Sequence, residues 1–278
     1  GCGSEVYPNG LFWDSLGRIV TTKRFAKTHP EYFALRKDGT RRTDCKLGLE
    51  QFCWSNPELQ KLVGERYCEM MDVAATAKFF VLAPGDGGDD FCRCENCRRI
   101  VARYSRVPGG NAEGGDMGLL LTFLNELARR AKEKYGDVIL RTFAYVSTEE
   151  PPEGIKPADN VMIWLCDLYT TSCHDLPLTH PFNAPRRDLF ERWARITRNI
   201  EVWDYTLYDD DFPEFFGDAT KADATFMRDL GIQRVYIENH YRKQPFYELN
   251  TYLQAELYAD PDQDLDRLVG DYCRVYGK

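Results

Sequence analysis

Short apolar runs alternate with segments of helical character along most of this chain, and this alternation restricts the possible folds more than any other feature. Each run has the length and composition of a buried strand, and a predicted helix separates it from the next. The order strand, helix, strand predicts a mostly parallel sheet with right-handed connections. The predicted strands are residues 79–83, 138–146, 160–166, 200–203 and 233–237.

The predicted helices carry recognisable start and stop signals. Asn56, followed by Pro57 and Glu58, is typical of a helix N-terminus. Asp116 is expected to cap a longer amphipathic helix, and Gly136 is expected to end it. The predicted helices cover about 56–73, 94–106, 116–136, 185–199, 218–230, 246–259 and 264–276.

Acidic or aromatic residues stand where each predicted strand ends. They are Asp86, Tyr145, Asp167, Asp204 with Tyr205, and Glu238 with Asn239. Such residues at the carboxyl ends of parallel strands predict an α/β fold of the (β/α)8 TIM-barrel type. A doubly wound sheet is the alternative, but its glycine fingerprint after the first strand is missing.

The first 55 residues lack clear periodicity, and this affects the predicted domain organisation. We expect residues 1–55 to form an irregular N-terminal segment packed on the barrel, and residues 56–278 to form the βα-repeat barrel portion. A complete barrel needs eight strands, so five clear strands predict a barrel that is incomplete or irregular at its N-terminal strands.

Composition excludes two classes of partner. The formal net charge of −8 argues against nucleic acid, whose binders need a basic face. No apolar run approaches the length of a membrane span, and residues 1–20 lack the pattern of a signal peptide. The 16 Tyr, 16 Phe and 5 Trp residues fit either core packing or a cleft whose rings stack on sugars. Oligomeric state is not predicted.

The segment after the first strand combines glycines, carboxylates and cysteines. Asp86 lies among glycines, and Cys92, Cys94 and Cys97 follow in Cys-x-Cys-x-x-Cys spacing. Three thiolates at this spacing could share a structural zinc ion with a fourth ligand from another loop, and the alternative is a disulfide with one free thiol. The candidates for the fourth ligand are Cys45, Cys173 and His174.

Several motifs occur in an order that resembles one known family. They are His29–Leu35, Cys53–Glu58, the 84–97 segment, 165–167, 202–205 and 235–241. Together they resemble glycoside hydrolase family 163 over residues 24–277. The resemblance implies a bacterial barrel enzyme of the endo-β-N-acetylglucosaminidase class that acts on complex N-glycans. It also implies a secreted, periplasmic or cell-surface location for the full-length protein, and no cofactor for catalysis.

Glycosidic cleavage needs a proton donor and a second group, which in substrate-assisted retaining enzymes is the substrate's acetamido oxygen. We predict Glu238 as the general acid, because aromatic neighbours such as Tyr236 could exclude water, with Asp86 and Asp204 orienting the substrate. Acids at strand ends can instead cap helices or form ion pairs. The predicted substrate-binding residues are Tyr145, Asp167, Tyr205, Asn239, His240 and Tyr241.

Two other functions compete with a glycosidase. A barrel that keeps the cleft but lacks a complete acid pair would bind glycans without cleaving them. A site built from cysteine, histidine and aspartate would make the protein a metal-dependent hydrolase. Turnover of a labelled glycan separates the first alternative from a glycosidase, and sensitivity to a chelator identifies the second.

Overall fold

A computed structural model describes residues 15–46, 48–74, 76–86, 91–106, 115–167, 176–206, 215–239 and 246–277 of the chain. Two units can be separated, the first ending at Leu165 and the second beginning at Cys166. Each unit contains parallel strands and the helices that follow them, as the alternating pattern predicts.

Five strands lie in the described part of the chain, and all the pairings defined between them are parallel. β1 pairs with β2 and β2 pairs with β3, and separately β4 pairs with β5. The predicted α/β class is therefore confirmed, whereas a complete eight-stranded barrel is not shown. The strands are β1 (Phe79–Val81), β2 (Ile139–Ala144), β3 (Val161–Cys166), β4 (Ile200–Thr206) and β5 (Arg234–Asn239).

The N-terminal segment is more regular than predicted. It contains the short helices α1 (Ser15–Ile19) and α2 (Thr22–Phe25), and an isolated antiparallel bridge joins Phe33 to Phe52. Both phenylalanines are buried, and their ring centroids lie 5.9 Å apart. The segment therefore contributes side chains to the core of the first unit.

Three longer helices complete the first unit: α3 (Pro57–Val73), α4 (Glu95–Tyr104) and α5 (Met117–Tyr135). The predicted start of α3 is confirmed, because the Asn56 side chain accepts hydrogen bonds from the backbone N–H groups of Glu58 and Leu59. These bonds satisfy two of the N–H groups that a helix leaves without partners at its N-terminus.

Helix α5 begins at the predicted position, but Asp116 does not cap it. The Asp116 side chain makes no capping hydrogen bond and is buried instead. Burial raises the pKa of this carboxyl group to about 7, and the charge of Arg93 offsets only part of that effect. Helix α5 is held by its long buried face, which includes Leu120, Phe123, Leu124, Leu127, Ala128 and Ala131.

The second unit adds α6 (Ala184–Ile196), α7 (Gly217–Asp229), α8 (Tyr247–Ala259) and α9 (Leu265–Tyr276). Three leucines spaced by four residues on α8, Leu249, Leu253 and Leu257, form a stripe that packs with Leu268 of α9. This spacing places the three side chains on one helix face. None of the helices described is both long and apolar enough to cross a membrane.

Candidate active site and thiol cluster

Four side chains share one face of β4 and β5, and they include the predicted general acid. Trp203 lies opposite Tyr236, and Tyr205 lies opposite Glu238. Side chains alternate between the two faces of a strand, so residues two apart on one strand and their partners on the next project together. We call Trp203, Tyr205, Tyr236 and Glu238 the Glu238 face.

The Glu238 carboxyl group is oriented by an aromatic neighbour. The indole Nε1–H of Trp203 donates to Glu238 Oε2 at 2.9 Å. The Trp203 ring lies 4.5 Å from the Tyr236 ring and 6.1 Å from the Tyr205 ring, measured between centroids. Trp203 is buried, whereas Glu238 and both tyrosines keep part of their surface exposed. An oriented carboxyl group therefore lies beside a partly accessible aromatic surface.

The electrostatics of this face agree with the geometry. Burial raises the pKa of the Tyr236 phenol, and the negative charge of Glu238 raises it further. The phenol of Tyr236 therefore stays protonated and remains able to donate a hydrogen bond.

Asp204 lies on the other side of these strands. It follows Trp203 directly within β4 and is opposite Ile237 of β5. The Tyr258 hydroxyl of α8 donates to Asp204 Oδ2 at 2.9 Å. Because neighbouring residues of a strand point to opposite faces, Asp204 and Glu238 cannot act on the same bond. The prediction that Asp204 converges with Glu238 in one cleft is wrong.

Asp204 belongs instead to a group of neighbouring acids. Burial and, to a smaller extent, the charge of Asp167 raise its pKa to about 7, and the hydrogen bond from Tyr258 opposes the shift. Burial likewise raises the pKa of Asp223 on α7, although the carboxylate accepts the backbone N–H of Leu178 at 2.6 Å. The crowded carboxyl groups thus favour at least one proton among them.

Asp167, a predicted substrate-binding residue, is buried and paired. Arg186 Nε donates to Asp167 Oδ1 at 2.6 Å, and the same guanidinium group donates to the carbonyl oxygen of Cys166. The side chains of Asp167 and Arg186 are only 5% and 7% exposed. This is the ion pair that the alternative interpretation of a strand-end acid anticipates, and it leaves little room for substrate.

The other predicted residues are spread over several positions. Asp86 is exposed, and its backbone N–H donates to the carbonyl oxygen of Gly48 at 2.8 Å. Tyr145 is partly buried, and its backbone N–H donates to Thr148 Oγ1 at 3.2 Å. Asn239 ends β5. Four candidates lie outside the described residues: His240, Tyr241, Cys173 and His174.

The three clustered cysteines meet a fourth that the sequence analysis missed. One ligand atom from each of Cys53, Cys92, Cys94 and Cys97 lies within 4.8 Å of the others. Cys53 Sγ is 3.7 Å from Cys94 Sγ and 3.9 Å from Cys97 Sγ. Cys45, one of the proposed fourth ligands, lies apart from this group and hydrogen-bonds to the Arg42 carbonyl at 3.6 Å.

These four thiols influence one another strongly. The hydrogen bond with Cys53 is the largest effect on the other three, and it lowers the pKa of Cys94 while raising the pKa of Cys92 and Cys97. The pKa of Cys53 itself is lowered to about 7, chiefly by Cys92. A bound cation would favour the thiolate form of all four.

Comparison with known proteins identifies the family but no activity. Residues 3–278 match the family described as Domain of unknown function (DUF4838). No curated protein matches the chain significantly. Among solved structures, a sugar phosphate isomerase/epimerase from Parabacteroides distasonis is 14% identical with a TM-score of 0.39. That match covers 74% of this chain and 66% of the other, just under two thirds. Because the family match covers nearly all residues, this chain belongs to the DUF4838 family.

Proposed function

We propose that this protein is a glycoside hydrolase that cleaves N-acetylglucosamine-containing glycans in the manner of an endo-β-N-acetylglucosaminidase. The observation that carries this proposal is the Glu238 carboxyl group held by the Trp203 indole beside Tyr205 and Tyr236. A positioned carboxyl group is what glycosidic cleavage requires, and flat aromatic rings offer a surface on which sugar rings pack. The resemblance to glycoside hydrolase family 163 supports the substrate class.

In this proposal Glu238 donates a proton to the leaving glycosidic oxygen. Its position at the carboxyl end of β5 fixes the backbone, and the indole N–H fixes the carboxyl plane. The substrate's acetamido oxygen attacks the anomeric carbon as the bond to the leaving oxygen breaks, and an oxazolinium ring forms. Water then attacks the anomeric carbon and opens this ring, and the two successive inversions give net retention of configuration. Asp204 faces Tyr258 instead and takes no part in this step.

The two competing functions receive less support. A glycan-binding protein without activity would need the aromatic rings but not a carboxyl group fixed by an indole donor. A metal-dependent hydrolase needs a metal with an open coordination position. The four-cysteine cluster would fill all four positions of a tetrahedral ion, so it does not suit that chemistry.

Cleavage of a labelled complex N-glycan tests the proposal. We expect the unmodified protein to release the glycan between its two core N-acetylglucosamine residues, in the presence or absence of a chelator. Glu238→Gln should abolish release, and the matched control Glu191→Gln, on the partly exposed surface of α6, should not. Binding of the glycan without any release by the unmodified protein would contradict the proposal and favour a binding function.

A further inference from the structure

We propose that Cys53, Cys92, Cys94 and Cys97 bind a single structural zinc ion. A tetrahedral ion with zinc–sulfur bonds of about 2.3 Å places its ligands about 3.8 Å apart. The separations of Cys53 Sγ from Cys94 Sγ and Cys97 Sγ are 3.7 and 3.9 Å. Disulfide sulfurs would be about 2.05 Å apart, so the arrangement fits a shared ion and not a bridge.

The four sulfur ligands restrict which metal ions could bind. Among the described residues, the group consists of four sulfur atoms with no carboxylate or imidazole ligand. Such a ligand set suits zinc or iron, whereas calcium and magnesium prefer oxygen. Three of the four cysteines are buried and Cys94 is partly so. A set of four protein ligands leaves no position for water, which is typical of structural rather than catalytic zinc.

Hydrogen-bond donors lie next to the sulfur atoms of the cluster and would stabilise thiolates. The backbone N–H of Leu35 donates to Cys92 Sγ at 3.3 Å, and Arg41 reaches the same sulfur at 3.9 Å. The Ser55 hydroxyl lies 3.0 Å from Cys97 Sγ. Zinc with four thiolates carries a net negative charge, and such donors stabilise it and orient the sulfurs.

The ligands come from separate segments of the first unit. Cys53 precedes α3, Cys92 lies in the connection after β1, and Cys94 and Cys97 lie at the start of α4. An ion held by all four would tie the connection between β1 and α4 to the segment before α3. This inference is independent of the proposed glycosidase activity, and its tests need no substrate.

Metal analysis of the protein purified without a metal-affinity tag tests the proposal. We expect one zinc per chain in the unmodified protein and less than a tenth of that in Cys53→Ser. The matched control Cys45→Ser changes a partly buried thiol outside the cluster and should keep its zinc. Iron in place of zinc, an adventitious trace only, or full zinc retention by Cys53→Ser would overturn the proposal.

Because Cys53→Ser could fail to fold, X-ray absorption at the zinc edge of the unmodified protein provides a second test. The expected result is four sulfur neighbours at about 2.3 Å. Nitrogen or oxygen neighbours in place of sulfur would overturn the assignment. So would a disulfide between any two of the four cysteines, detected by mass spectrometry of the unreduced protein.

Discussion

At the scale of single residues, the hydrogen bond from Trp203 to Glu238 determines how the proposed catalytic carboxyl group is held. Trp203→Phe keeps an aromatic ring but removes the N–H donor. A hydrogen bond between neutral groups contributes about 0.5–1.5 kcal/mol, so we expect turnover to fall by roughly 2- to 10-fold. Steady-state kinetics on an N-acetylglucosamine-containing substrate measures the change.

A second tryptophan of the same unit provides the control for this prediction. Trp193→Phe alters a fully buried ring on α6 that is not one of the four residues of the Glu238 face. It should lower thermal stability and leave turnover per folded molecule nearly unchanged. Equal losses of turnover in the two variants would contradict a specific role for the indole donor.

We expect substitution of Asp204 to change the stability of the protein rather than its catalytic rate. Its folded-state pKa of about 7 lies above the ordinary value of 3.8, so the folded protein holds a proton that the unfolded chain releases between these values. This contribution to stability is complete below about pH 3.8 and is lost as pH rises through about 7. We expect Asp204→Asn to gain stability relative to the unmodified protein over this range, by about 1–3 kcal/mol.

Urea unfolding of both proteins at several pH values between 4.5 and 7.5 measures this difference. The relevant quantity is the change in the free energy of unfolding on substitution, because acids that do not interact with Asp204 contribute equally to both proteins. A difference that stays constant over this range would show that Asp204 is ionised throughout, and would contradict the buried-acid assignment.

The sequence could not show that Asp204 and Glu238 lie on opposite faces, and the reason is physical. Strand β4 was predicted to end at Trp203, which made Asp204 a residue beyond the strand end. The strand continues to Thr206, so Asp204 takes part in the alternation of side chains. Its pairing with Ile237, one residue before Glu238, depends on register, which is set by packing between strands and not by local sequence.

At the scale of elements, the connection after β1 depends on a close approach of two backbone segments. A Cβ atom at Gly85 would lie 2.8 Å from the Gly48 carbonyl oxygen and closer still to that of Glu50. Gly85→Ala should therefore destabilise the protein by about 1–3 kcal/mol, since the neighbouring backbone must shift. Chemical denaturation measures the change.

For a glycine on helix α9, we expect substitution by alanine to stabilise the protein. No neighbouring atom lies within 4 Å of a Cβ built at Gly270 on α9. Gly270→Ala should stabilise the protein by about 0.5–1 kcal/mol, because alanine favours helix more than glycine. Destabilisation by both substitutions to the same degree would show that the close approach at Gly85 has no special cost.

Local sequence signals predict most of these helices and strands. The thiol cluster could not be predicted in full, because it depends on contacts between residues that are distant in sequence. The Asn56 cap and the apolar run of β3 are local features, and both elements form where they were predicted. Cys53 is distant from the Cys-x-Cys-x-x-Cys segment, and only the folding of the first unit brings it there. Its place just before a strong helix start was the one available signal.

At the scale of the whole molecule, the parallel α/β arrangement and the family are established. The alternation of strands and helices predicted the parallel sheet, because buried parallel strands leave continuous apolar runs in the sequence. The proposed activity depends on a few side chains of the Glu238 face, whose arrangement follows from register and rotamers. For that reason the DUF4838 match and the sheet do not by themselves identify the reaction.

The rate of cleavage by Glu238→Gln on two substrates tests the central claim most directly. A general acid matters most when the leaving group is poor, so the variant should lose at least 1,000-fold, on the order of the effect of a general acid, on the natural glycan. On an aryl glycoside with a good leaving group it should keep much of its activity. An equal loss on both substrates, or no loss on either, would contradict the role of Glu238 as the general acid.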